Sequence, residues 1–150
     1  MDWDGDPNDR NYTSGFVFIL ADGPIFWSSM KQQTISLSSA EVEYRGAVNA
    51  TTQCVWLQGI LQEIDVAFDS LTTIWVDNKS SINISIDPVQ RKITKHIEIH
   101  MHYIQVLVHD RVISLQYYPS IEQTADIFTK SFTDKTFTYL RSLLGVSDGW

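Results

Sequence analysis

Three acids in this sequence could carry metal chemistry: Glu43, Asp77 and Asp126. Glu43 lies just inside a run with helical periodicity. Asp77 follows the β-branched and aromatic run Thr73-Ile74-Trp75-Val76, and Asp126 comes near the start of a late helical segment. Separate carboxylates converging at one sheet edge are what hard divalent cations need, because Mg2+ takes oxygen ligands and keeps much of its water. Two such ions about 4 Å apart can activate a water and stabilise the leaving oxygen of a phosphodiester. Each acid also has a plain structural reading. Asp77 and Asn78 are good N-cap residues for a following helix, and the helix dipole favours a glutamate in the first turns. With 18 acidic residues the chain also offers triads by chance, so spacing alone does not decide.

Other side chains compete for attention. His96 and His100 share a helix face at i, i+4, a spacing seen in zinc sites. No third ligand stands nearby and His102 points elsewhere, so a mixed surface and interface role is the reading for all three. Arg91, Lys92 and Lys95 form the dense basic patch, which suits a nucleic-acid backbone or a solvated loop equally. Lys130 follows Asp126 closely enough to face the same groove. Cys54 falls on the apolar side of its helix, where a buried, inert thiol is expected. Trp3, Trp27, Trp56 and Trp75 read as core or hairpin packing rather than as base-stacking platforms.

The elements that must position these groups follow from hydrophobic periodicity. A length of 150 residues predicts one domain with a real core, and 43% hydrophobic and 12% aromatic content excludes disorder. No apolar run reaches bilayer-spanning length. The acidic start Met1-Asp2-Trp3-Asp4 is no signal peptide, so an intracellular location, cytoplasmic or nuclear, is expected. One cysteine excludes an internal disulfide. A net charge of -7 gives little counterion release on nucleic acid, although bound divalent cations reverse the local sign at a site.

Residues 5–13 read as a loop, rich in turn formers. Ser14–Leu20 reads as a strand too continuously apolar for a wet face, and Pro24–Ser29 returns as its hairpin partner after the turn at 21–24. Ser38-Ser39-Ala40-Glu41 matches a capping box. Behind it Ala47, Ala50, Cys54, Leu57, Leu61 and Ile64 recur at helical spacing, predicting a helix over 39–63. A strand over 71–76, a helix from Asn78 to about Ile86 and a helix from Ile93 follow. Then come a strand over 111–118, a short helix carrying Asp126, and a last helix over 133–144 ended by Gly145. Helical crossovers imply a partly parallel sheet and the hairpin an antiparallel part, so a mixed α/β sheet with helices on both faces is expected.

Four stretches carry a resemblance: Leu37-Ser38-Ser39-Ala40-Glu41-Val42-Glu43-Tyr44, Val76-Asp77-Asn78-Lys79-Ser80, Thr94-Lys95-His96-Ile97-Glu98 and Ala125-Asp126-Ile127-Phe128-Thr129-Lys130. With Asp2-Trp3-Asp4-Gly5-Asp6-Pro7 and Ser14-Gly15-Phe16-Val17, the chain resembles the ribonuclease H domain of copia-type retrotransposon polyproteins over nearly its whole length. The resemblance implies a single ribonuclease H-like domain over 1–150, with a mixed five-stranded sheet. It further implies cleavage of the RNA strand of RNA–DNA hybrids with two Mg2+ ions, or Mn2+ in their place. Glu43, Asp77 and Asp126 match the family's catalytic, metal-holding acids. The hybrid and the reverse transcriptase portion of the same polyprotein are the implied partners, with no membrane.

Two departures qualify the match. The family's catalytic aspartate on the first strand stands two residues ahead of the position that Asp2 matches, upstream of Met1, so a shortened first strand and a missing fourth acid are expected. The stretch Pro119–Thr124 also lacks the histidine that cellular relatives carry before the last aspartate. Two alternatives therefore stand beside the enzyme. One is a catalytically inactive retrotransposon-derived fragment; the other is a non-catalytic interaction module using an open strand edge.

Overall fold

The computed structural model describes residues 13–31, 39–76, 95–119 and 123–147, with backbone alone at 39–43 and 95–97. In order these are β1 (Thr13–Leu20), β2 (Gly23–Lys31), α1 (Ser39–Glu63), β3 (Thr72–Val76), α2 (Lys95–His109) and β4 (Ile113–Tyr117). A 3₁₀ turn (Thr124–Phe128) and α3 (Asp134–Leu143) complete the series. Backbone contacts divide the chain into two compact units, Met1–Val42 with Gln123–Trp150, and Glu43–Glu122. The architecture is mixed α/β. Four strands of the expected five lie among the described residues, as two separate pairs, β1–β2 and β3–β4. The first strand implied by the resemblance falls in residues 1–12 and the helix over 78–86 in 77–94, both outside the described residues.

In the first unit, β1 and β2 pair antiparallel through a two-residue loop, Leu20 facing Gly23. Ala21 and Asp22 both take positive φ, 50° and 66°, a twist that matches the hairpin's own. A register shift beyond Phe18 leaves Ile25 as the extra residue beside Pro24, a place where proline's missing N–H breaks no ladder bond. Phe16, Phe18 and Phe26 share one face, with ring centroids 5.5 and 6.0 Å from Phe16. The expectation that β1 has no wet face is corrected: it is half-buried along its length, and Ile19 is exposed. α3 starts at an N-cap, Thr133, whose hydroxyl accepts from the Thr136 N–H at 3.4 Å. It buries Leu140 and, just beyond its end, Leu144.

In the second unit, α1 has the bounds its capping box and periodicity predict. Its buried positions are Tyr44, Ala47, Val48, Ala50, Thr51 and Cys54, while Leu57 and Leu61 are half-buried and Ile64 is exposed. β3 and β4 run parallel, Thr72 opposite Ile113 through Val76 opposite Tyr117, which requires the long crossover that includes α2. Met101 and Ile104 of α2, Ile74 of β3 and Ile113 of β4 are buried. Gln58 of α1 ties the amino ends of both strands, donating to the Thr72 hydroxyl at 2.7 Å and the Val112 carbonyl at 3.2 Å. β4 starts two residues later than predicted because Arg111, at φ 56°, closes the end of α2 instead.

Candidate active site

Asp126 is built into the first unit by backbone. The Thr129 and Lys130 amides and the Thr129 hydroxyl all converge on the Asp126 carbonyl, at 3.0, 3.3 and 3.0 Å. The turn is then fastened to the hairpin, where the Ser29 hydroxyl donates to the Phe128 carbonyl at 2.6 Å. Gly15, on the neighbouring strand, allows this approach: a Cβ there would lie 2.8 Å from the Phe128 Cβ and 3.0 Å from the Thr129 Cγ2. A glycine inside a strand often marks such a close backbone approach. That is the sequence signal for Gly15 as a holder of the site; Ser29, 99 residues from Phe128, carries none.

The Asp126 side chain is only 13% exposed, and its Oδ2 receives the Lys130 ammonium at 2.6 Å. Lys130 itself is 54% exposed and its ammonium lies 5.5 Å from the centre of the Phe132 ring. Lys130, expected close to Asp126, touches it directly. The Asp126 carboxylate is thus enclosed, on a turn fixed by backbone hydrogen bonds, with the Lys130 ammonium as its positive partner.

At the other acids the backbone framework is visible. Val76 closes β3 opposite Tyr117, and the Tyr118 N–H donates to the Val76 carbonyl at 2.8 Å. The Trp75 and Tyr118 rings meet edge-on, 5.4 Å apart. The chain therefore leaves the sheet at the carboxyl end of β3, opposite the Gln58 tie, with Asp77 as the next residue. Asp77 lies outside the described residues. Glu43 is helical within α1, and its side chain lies outside the described residues as well. Among the described residues no group of three or more His, Cys, Asp and Glu side chains forms a metal cage. The His96–His100 pair of the zinc reading is not testable there, because the His96 side chain, like Arg91, Lys92 and the Lys95 side chain, lies outside the described residues.

Cys54 is buried as expected. Burial pushes its thiol up from the ordinary 9.0, and a hydrogen bond with the Thr72 side chain pulls it part of the way back, so no reactive thiolate is available there. The tryptophan expectation fails where it can be seen: Trp27, Trp56 and Trp75 are each at least half exposed. Trp75 alternates with buried Ile74 on a pleated strand, and Trp56 lies off the buried stripe of α1. Trp3 lies outside the described residues.

Comparison with known proteins gives a consistent answer. The chain is 32% identical over 146 residues to the retrovirus-related Pol polyprotein from transposon RE1 of Arabidopsis thaliana, covering 97% of this chain. It is 30% identical over 145 residues to the Pol polyprotein from transposon RE2 of the same plant. The Pol polyprotein from transposon TNT 1-94 of Nicotiana tabacum matches at 29% identity, again over 97% of the chain. The chain is related to the Pol polyproteins of copia-type retrotransposons. It spans about a tenth of the length of these Pol relatives, 10 to 11%. No family model matches the Pol-related chain, and no solved structure matches it. No helix among its described residues is long and apolar enough to cross a membrane.

Proposed function

We propose that this chain is the ribonuclease H domain of a retroelement Pol polyprotein, cutting the RNA strand of RNA–DNA hybrids made during reverse transcription. The observation that carries the reading is the relation to Pol across 97% of the chain. It is joined by the enclosed, cation-paired Asp126 within the Ala125–Lys130 motif. The partners are the hybrid and the reverse transcriptase portion of the same polyprotein.

Glu43, Asp77 and Asp126 are the residues that would hold two Mg2+ ions, with Mn2+ as a substitute; their all-oxygen donor set is the one such ions prefer. Bound there, the ions would supply an activated water and charge stabilisation at the leaving oxygen. The chain's own task is to hold the carboxylates still. The Ser29–Phe128 bond and the three donors on the Asp126 carbonyl fix the backbone that carries one of them. Glu43 would also accept from the attacking water and the adjacent ribose 2′-hydroxyl, which distinguishes RNA from DNA. Cleavage leaves a 5′-phosphate, and recognition follows backbone shape with little base preference.

Hybrid cleavage in Mg2+ tests the reading. Asp126→Asn and Asp77→Asn each reduce the rate by at least about a hundredfold. Wild-type protein no faster than both variants would remove the enzyme and leave a non-catalytic module.

A further inference from the structure

We propose that Lys130 is an exchangeable counter-ion, resting on Asp126 in the metal-free protein and moving to a backbone phosphate when a divalent cation takes Asp126. The inference rests on the reading of Asp126 as a cation ligand. It concerns a residue that is neither a ligand nor a reacting group.

The two halves of the ion pair are not equally mobile. Asp126 sits on a turn whose backbone is fixed by four hydrogen bonds that do not involve the lysine side chain, and its carboxylate is 13% exposed. Lys130 reaches it from four residues along the chain, on a flexible stem that is 54% exposed. An exchange therefore moves the lysine and leaves the acid in place. None of those four bonds uses the lysine side chain, and the incoming cation replaces the ammonium as the positive partner of the enclosed carboxylate, so the turn keeps its shape when the lysine leaves. A divalent ion on Oδ2 would lie within a few ångströms of the ammonium, and like charges at that range repel by about 1 kcal/mol or more even in water. The Phe132 ring, 5.5 Å from the ammonium, gives the departing cation a face to slide along.

The exchange also addresses an electrostatic difficulty. A chain of net charge -7 has few cations to spare for a nucleic acid. Keeping Lys130 neutralised until the metal arrives makes the metal and the hybrid bind cooperatively, since the same event fills Asp126 and frees a phosphate contact.

The test uses the full chain with Mn2+ alone, titrated by calorimetry, and then hybrid binding in non-cleaving Ca2+ at several salt concentrations. Lys130→Met, which keeps the apolar stem, binds Mn2+ about three- to tenfold more tightly than wild type. Lys130→Gln behaves likewise, and Lys130→Arg stays close to wild type. In Ca2+ the salt slope of hybrid binding falls by about one in Lys130→Met, whereas in EDTA the two proteins share one slope. Unchanged or weaker Mn2+ affinity in Lys130→Met, with Asp126→Asn still losing affinity, overturns the exchange and leaves Asp126 as a ligand. Asp126→Asn binding Mn2+ as wild type does would instead bring down the ligand assignment, and the exchange with it.

Discussion

The turn that carries Asp126 and the buried face of α1 treat polar groups in opposite ways. Around Asp126 the backbone carbonyls of 126 and 128 are met and the carboxylate is ion-paired. On α1, the Tyr44 and Thr51 hydroxyls are buried, 2% and 0% exposed, and neither has a hydrogen-bond partner among the described residues. An unmet buried hydroxyl costs about 1–3 kcal/mol. The first region holds one functional atom in one place, and the second fills volume at a polar cost. Precision at Asp126 is therefore local, produced by a glycine, a serine and a turn rather than by the large core.

The strongest way to break the contrast is at Gly15. A methyl group there would press the Phe128 Cβ at 2.8 Å and the Ser28 carbonyl at 3.2 Å, neither of which is a flexible chain end. Gly15→Ala destabilises the protein by about 2 kcal/mol, measured by urea unfolding. In the folded fraction it lowers hybrid cleavage through the rate rather than through hybrid affinity. Normal stability with normal cleavage would mean that the turn does not depend on this contact.

The α1 face is sharpened by removing its hydroxyls. Tyr44→Phe and Thr51→Val each gain about 1 kcal/mol, because an orphaned polar atom leaves while the shape stays. Only Tyr44→Phe also changes the pH dependence. Burial pushes the Tyr44 phenol well above its ordinary 10.0, so the folded state keeps a proton that the unfolded chain releases near that value. The contribution is whole below about pH 10 and is lost as pH rises through the folded pKa. Cys54, raised from 9.0 by burial, acts in the same direction slightly earlier. Tyr44→Phe therefore flattens the alkaline fall in stability, and Thr51→Val raises the whole curve without changing its shape.

What the sequence revealed divides along similar lines. Local, periodic signals were readable: the capping box and spacing of α1 gave its bounds, and Gly145 gave the end of α3. The tryptophans were misjudged because residue type was set above periodicity. Alternation with Ile74 and the helical stripe through Cys54 already turned Trp75 and Trp56 outward. Tyr44 and Thr51 share that stripe and were passed over because only apolar residues were counted. At the site, the Asp126–Lys130 spacing was legible as i, i+4. The fastening of their turn to Ser29 spans a sequence separation of 99 residues, a tertiary contact with no local trace.

The smallest expected effects come from the helix ends, where the same contrast between demand and residue choice recurs. The three α-helices among the described residues close with the same bond. The Val66, Val112 and Val146 amides reach back to the Leu61, Leu107 and Arg141 carbonyls at 2.9, 2.9 and 3.3 Å. The residue before each valine takes positive φ: Asp65 at 59°, Arg111 at 56° and Gly145 at 73°. This closing turn favours glycine, so two of the three ends carry a Cβ in a region that disfavours it. Arg111→Gly gains about 1 kcal/mol and Asp65→Gly about half that, since a short acidic side chain tolerates the left-handed region better than a long one. Gly145→Ala loses a similar amount. Its added Cβ would meet only the Asp22 carbonyl, at an ordinary 3.6 Å, so the loss is conformational rather than steric. Thermal unfolding of the three variants should rank them Arg111→Gly, Asp65→Gly, wild type, Gly145→Ala. An Asp65→Gly gain larger than that of Arg111→Gly would show that the arginine side chain contributes a contact outweighing its backbone strain.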